Sequence, residues 1–156
     1  HFYTYYAGTT GVPSAMGAAG IDKVKMISYW HPNNDSILGK EIVSGFKQKY
    51  HDDFYSASTF WAVASLAKAI KASASIDPVK VAFALEGMKV DLFSGEAVMR
   101  KSDHQLQQTM YLSNWVKTNG KEIKFDQENT GFGWKTVRKI DAYVAAQPSS
   151  CQMTRP

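Results

Sequence analysis

The adjacent pair Asp103–His104, in "RKSDHQ", is where a search for acid–base chemistry stops first. A general base needs its orienting carboxylate within hydrogen-bond reach, and neighbours in a regular element point away from one another. The pair therefore reads as a solvated turn, and no enzyme is expected. The four histidines, His1, His31, His51 and His104, lack the i, i+4 spacing that sets two imidazoles on one helix face, so no metal site is expected. "HDD" at residues 51–53 reads as a charged loop. The glycines at 8, 11, 17 and 20 lie where a dinucleotide loop would, after a strand and before a helix. Their spacing is not G-x-G-x-x-G and Pro13 interrupts the run, so no nucleotide cofactor is expected.

A second kind of chemistry is binding at the ends of strands. In open α/β sheets ligands sit in the crevice beyond the carboxyl ends of the strands. Tyr5, Tyr6, Ala7 and Gly8 end the opening strand, and Tyr55 stands in the aromatic loop "DDFYSAST" that enters the longest helix. These five residues are the candidate ligand contacts. Core packing is the competing reading for Tyr5 and Tyr6, and an ordinary surface aromatic the competing reading for Tyr55.

Composition narrows the class. With 44% hydrophobic and 21% charged residues the chain is globular, and 156 residues suffice for a sizeable core. The net charge of +4 comes from lysines scattered along the sequence rather than from a basic block. A nucleic-acid partner is therefore not expected. One cysteine, Cys151, excludes an internal disulfide and a thiolate zinc cluster. It is either a free thiol in a tail or the partner of a cysteine outside this chain, the latter suiting an oxidising compartment. No apolar run approaches the roughly 18 residues that span a bilayer.

The elements that must position the candidates follow from periodicity and punctuation. An opening aromatic strand, a small-residue helix in "GVPSAMGAAG" closed by Gly20, and a strand over Lys23–Trp30 make a strand–helix–strand unit. Ser36–Tyr50 predicts an amphipathic helix capped by Asp35 or Ser36, with Leu38, Ile42, Phe46 and Lys49 or Tyr50 on one side. Ser58–Ser73 predicts a second, with Phe60, Val63, Ala67 and Ile70 on its inner face. Asp77, Pro78 and Gly87 cap, start and stop a third. Beyond residue 88 the pattern predicts strands at Phe93–Arg100 and Thr109–Lys117, then a tight turn at Asn119–Gly120 with "EIKFD" returning. A last short helix is predicted over Gly133–Ala145. The whole reads as α/β.

"STFWAVASLAKAIKASASIDPVKVAFALEGM" resembles the long helix, acidic-Pro break and "ALEG" helix of periplasmic substrate-binding proteins of ABC importers, type I fold, in the branched-chain amino acid (Leu/Ile/Val) group. "LFSGEAVMRKSDHQLQQTMYLSNWV" is similar to the stretch that follows in that group, and "CQMTRP" to the ending of many members. The resemblance implies an α/β fold of two lobes with mostly parallel sheets flanked by helices. It implies that residues 1–34 and 109–146 belong to the second lobe, 35–108 to the first, and 147–156 to a tail. It further implies that this chain is a C-terminal portion whose missing N-terminal part carries most of the first lobe. On that footing the aromatic opening is an interior strand rather than a natural terminus. The implied function is a periplasmic receptor that delivers a small organic ligand to a membrane permease; a ligand sensor on the same bilobed fold is the alternative. The strand-end loop Tyr5–Thr9 would face the cleft, and Tyr55 falls where an aromatic touches the ligand. Amino-acid binders of the group often place a carboxylate at that strand end to meet the ammonium. "YTYYAGTT" has none, which suits an aromatic or aliphatic carboxylate or a small amide as well as a branched-chain amino acid.

Overall fold

Two stretches far apart in the sequence build the sheet that carries the candidate residues. The chain, seen in a computed structural model, is described for residues 1–144 and 146–154. It divides into two compact units, His1–Tyr55 with Met110–Ile140, and Ser56–Thr109 with Asp141–Pro156.

In the first unit, β1 (Phe2–Thr4) is followed by α1 (Val12–Met16), a 3₁₀ turn (Gly17–Gly20), β2 (Val24–Ser28) and α2 (Ile37–Tyr50). The chain re-enters as β6 (Met110–Lys117) and β7 (Phe132–Ile140), giving the strand order β1-β2-β6-β7. β1 and β2 are parallel, with Phe2 opposite Val24, because a helical crossover joins them. β1 lies at the edge of this four-stranded sheet, and Phe2 and Tyr3 are exposed. The buried cluster Ala7, Met26, Trp115 and Trp134, backed by Val12, Met16 and Phe132, sits beneath the loop that follows β1.

In the second unit, α3 (Ala57–Ser73) and α4 (Pro78–Leu85) accompany the antiparallel sheet β3 (Lys89–Leu92), β4 (Gly95–Met99) and β5 (Leu106–Gln107). Trp61 meets Phe93 edge-on at 4.3 Å between ring centroids, and Val81, Val90, Leu92 and Ala97 are buried with them.

The α/β class and the helix caps are as the sequence predicts. Ser36 Oγ accepts from the Gly39 N–H at 3.0 Å, and Asp77 Oδ1 accepts from the Lys80 N–H at 3.0 Å. Several details differ. Mostly parallel sheets were expected, but among the described residues β1–β2 is the one parallel pairing. β3 and β4 return through the two-residue turn 93–94, β6 and β7 through the loop 118–131, and β6 pairs with β2 although the whole of 56–109 separates them in sequence. Phe93 and Ser94 form a turn instead of opening a strand, and β3 precedes them. "EIKFD" is not a strand; Asn119 Oδ1 accepts from the N–H groups of Lys121 and Ile123, both at 3.0 Å, and curls that segment into a loop. The partner of β6 is instead β7, where a helix was expected; Ala145, the last residue of that expected helix, lies outside the described residues.

The inner faces of the helices are also rotated from expectation. On α3 the buried positions are Ala57, Trp61, Ser65 and Ala69, each four apart, while Phe60 and Val63 are exposed. Small residues on either side of one large Trp let the helix approach closely. On α2 Gly39 and Val43 are buried, and Leu38 and Tyr50 are exposed.

Candidate functional site

The strand-end rule applies to two strands here, because β1 and β2 run parallel and end together. Beyond their carboxyl ends lies a pocket of about 270 Å³ within the first unit. Six rings wall it: Tyr5, Tyr29, Trp30, Phe54, Tyr55 and Trp134. Gly8, Thr9, Thr10, Met26, Ser28, His31 and Gln127 complete the lining, which contains no Asp, Glu, Lys or Arg among the described residues.

Of the residues singled out from the sequence, the pocket brings together Tyr5, Gly8 and Tyr55. Tyr6 points away and is 73% exposed, and Ala7 is buried in the Trp115–Trp134 cluster at 3% exposure. Gly8 is where the backbone passes closest to the floor: a Cβ there would stand 2.8 Å from Met26 Sδ and 3.6 Å from Trp134 Nε1.

Tyr55 is fixed by a polar frame. Its hydroxyl donates to Glu128 Oε1 at 3.1 Å, and Glu128 also accepts from the Ser14 hydroxyl at 2.5 Å, the Ser14 N–H at 2.7 Å and the Gly11 N–H. Burial alone would raise the Glu128 carboxyl, but these donors outweigh it and hold its pKa below the usual value. Burial, then the nearby Asp53 and Glu128 charges, raise the Tyr55 phenol above its usual range, so it stays a neutral donor. Asp53 Oδ2 accepts from the Glu128 N–H at 2.5 Å, and Lys47 Nζ bridges Asp53 at 2.8 Å and Asp126 at 3.2 Å. The loop preceding β7 is thereby tied to α1, α2 and the Tyr55 segment.

His31, 1% exposed, is held at one nitrogen, Nε2, by Thr136 Oγ1 at 2.8 Å, and packs edge-on against Tyr111. Burial lowers its pKa to about 4, against a smaller opposing pull from Asp35, so the imidazole is neutral near pH 7. Gln127 is likewise committed, its Oε1 accepting from Trp134 Nε1 at 2.5 Å.

Ser28, Tyr29, Trp30, His31, Phe54, Gln127 and Trp134 were missed as site residues. The first four were within reach, since the rule applied to the end of β1 applies equally to "ISYWHP" at the end of β2. Trp134 arrives from the segment read as a helix and Gln127 from just beyond the one read as a strand, and no local signal marks them. Asp103 and His104 are not a pair: Arg100 Nε donates to Asp103 at 3.0 Å, and His104 Nε2 meets Glu86 Oε1 at 3.1 Å.

The pocket is neutral, ring-lined and set beyond the ends of the two parallel strands. The family model for periplasmic binding proteins matches residues 2–121, and the chain belongs to that family. No match is found among curated proteins. Among solved structures, the leucine-, isoleucine-, valine-, threonine- and alanine-binding protein from Brucella ovis, in a closed conformation, superposes with a TM-score of 0.84 at 18% identity over 99% of this chain and 40% of its own. An ABC-type branched-chain amino acid transporter protein from Rhodopseudomonas palustris CGA009 gives 0.59 at 25% identity over 77% of this chain and 31% of its own. A solute-binding protein of an ABC transporter from Rhodopseudomonas palustris BisB5, in complex with 3,4-dihydroxybenzoic acid, gives 0.68 at 19% identity over 82% and 33%. These likenesses establish a type I periplasmic-binding-protein fold, and the chain spans two-fifths or less of the length of each of these structures.

Proposed function

We propose that this chain supplies part of the ligand site of an extracytoplasmic solute receptor, which binds a small aromatic carboxylate and presents it to the permease of an ABC importer. In this reading it is a binding protein and not an enzyme, and its lobes close on the ligand. The lobe assignment drawn from the sequence, 1–34 and 109–146 against 35–108, is kept with two changes, the smaller being that the stretch after Ile140 goes with the second unit. The ion pairs from Lys47 to Asp53 and Asp126 support leaving α2 with the former, so the passage falls after Tyr55.

The observation that carries the ligand class is the lining of six rings without a charged side chain. A flat ring stacks on or meets such walls edge-on, gaining about 0.5–1.5 kcal/mol per aromatic pair beyond area burial. An α-ammonium would find no carboxylate in this lining and a ligand carboxylate no Lys or Arg, so the lining argues for a ring and leaves the partner of the ligand's charge to residues outside it. The BisB5 relative, crystallised with a dihydroxybenzoic acid, supports the same class; the Brucella and CGA009 relatives support a branched-chain amino acid.

A thermal-shift series separates the two. At a hundred times its Kd a ligand adds about 2.7 kcal/mol of stability. Benzoate or para-hydroxybenzoate is expected to raise Tm by several degrees, with leucine, isoleucine and short amides leaving it unmoved. A shift with leucine alone would move the ligand to the amino-acid class, and no shift with any of them would remove the pocket's claim.

A further inference from the structure

One carboxylate outside the pocket ties together three of the segments that line it. Glu128 is not among the lining residues. Its Oε1 accepts from the Tyr55 hydroxyl at 3.1 Å and from the Gly11 N–H, and its Oε2 from the Ser14 N–H at 2.7 Å and the Ser14 hydroxyl at 2.5 Å. Tyr55 walls the pocket, Gly11 directly follows the lining residues Thr9 and Thr10, and Gln127 is the chain neighbour of Glu128 itself. All of them belong to the first unit. The backbone takes an uncommon path to bring the carboxylate there: Glu128 and Asn129 adopt left-handed φ angles of 55° and 54°. Such conformations persist only where the surrounding structure over-determines them, and they gather at functional sites. Capping of α1 does not account for the arrangement, because a cap uses the bonds to Gly11 and Ser14 and has no need of a tyrosine from a separate loop.

We propose that Glu128 is the positioning residue of this pocket: it holds the Tyr55 ring and the loop after β1 at the spacing a ligand meets, so that binding does not have to order them. The inference rests on the reading of the ring-lined pocket as the ligand site, and names the residue that sets its walls in advance. The chemistry of the side chain suits the task. A carboxylate offers two oxygens that only accept, and here each faces two donors. An amide would turn one end into a donor and set it against N–H or O–H groups. Asp53 does not replace Glu128 as the holder of Tyr55, since its Oδ2 lies 3.5 Å from the phenol oxygen and already accepts from the Glu128 N–H at 2.5 Å. Walls ordered beforehand spare the ligand that entropy, which is worth roughly a few-fold to tenfold in affinity per side chain.

The test is calorimetric titration of the chain with benzoate in the wild type, Glu128→Gln, Tyr55→Phe and the double variant, each shown to be folded by its urea transition. Glu128→Gln should weaken benzoate by roughly three- to tenfold, although it changes no group in the lining. Tyr55→Phe keeps the ring and removes only the hydroxyl that Glu128 holds, and should weaken binding on the same scale. The double variant should lose less than the product of the two factors, because both changes cut one bond. NMR without ligand supplies a readout that the loss of a helix cap alone would not move. The Tyr55 ring signals, assigned by their disappearance in Tyr55→Phe, should report a more mobile ring in Glu128→Gln. If Glu128→Gln does not fold, Ser14→Ala and Tyr55→Phe cut the frame from its two ends, and each should weaken benzoate. If the wild type and Glu128→Gln bind benzoate equally, or the two losses multiply in full, the inference fails while the aromatic pocket stands. If leucine binds in place of benzoate, the aromatic reading falls and the same comparison, run with leucine, decides the role of Glu128. If the wild type binds neither, the reading and the inference fall together.

Discussion

Gly133 shows how one missing side chain can hold a loop in place. It lies in β7, and a Cβ there would stand well inside contact distance of the Phe125 carbonyl oxygen and 3.0 Å from Asn33 Nδ2. Asn33 Nδ2 donates to that carbonyl at 2.7 Å, while its Oδ1 accepts from the Phe125 N–H at 2.8 Å. This two-bond clamp secures the loop that delivers Gln127 to the pocket. Because the obstacle is backbone, it cannot rotate aside. Gly133→Ala is expected to destabilise the chain by about 2–3 kcal/mol, the upper range for overpacking, as a lowered urea midpoint with unchanged slope. Gly45 is the converse case, an exposed position inside α2 with nothing within 4 Å of an added Cβ. Gly45→Ala should stabilise by about 0.5–1 kcal/mol through helix propensity and a less free unfolded chain. If the two substitutions shift the midpoint equally, the clamp has no special role.

At the scale of elements, α4 offers the most direct link from sequence to stability. Asp77 caps it through the Lys80 N–H and Pro78 opens it. Asp77→Ala should cost about 1 kcal/mol, and Asp77→Asn much less because the amide oxygen still accepts. Equal losses in chemical denaturation would assign the effect to charge rather than capping. Caps were legible in the sequence because their signal is local: a small polar residue, then Pro, then a Gly stop. The inner face of α3 was not legible for the opposite reason. Phe60, Trp61, Val63, Leu66 and Ile70 surround the helix with apolar residues, and only tertiary packing selects the Trp61 line. β7 was misread because Lys135, Arg138 and Lys139 interrupt its apolar residues at intervals that also suit a helix. Its identity as a strand comes from pairing with β6, which is non-local, with a register shift between Leu112 and Ser113. In the site, Tyr5, Gly8 and Tyr55 were legible from strand-end reasoning, whereas Gln127 and Trp134 depend on that same long-range pairing.

Across the molecule as a whole, acid should act through groups whose ionisation folding has shifted. His31 is lowered from 6.5 to about 4, so between those values the unfolded chain takes up a proton that the folded chain refuses. Its contribution is intact above pH 6.5, declines as pH falls, and is lost near pH 4, on the order of 3 kcal/mol in all. Glu128 is also lowered; its contribution is present above the ordinary glutamate value and is lost as pH falls through its folded value. Urea midpoints measured from pH 7.5 to 3.5 should therefore fall in the wild type. The difference between wild type and His31→Gln should itself shrink between pH 6.5 and 4; a constant difference would show that the imidazole is not a neutral buried group. The Trp115–Trp134 contact has a consequence of another kind. The two indoles, with centroids 4.9 Å apart and planes inclined at 53°, are close enough for their excited states to mix, which gives a paired band of opposite signs in circular dichroism. Trp134 also lines the pocket. A guest ring lying against it would perturb that band directly, so the chain carries its own optical gauge of occupancy, without dye or label.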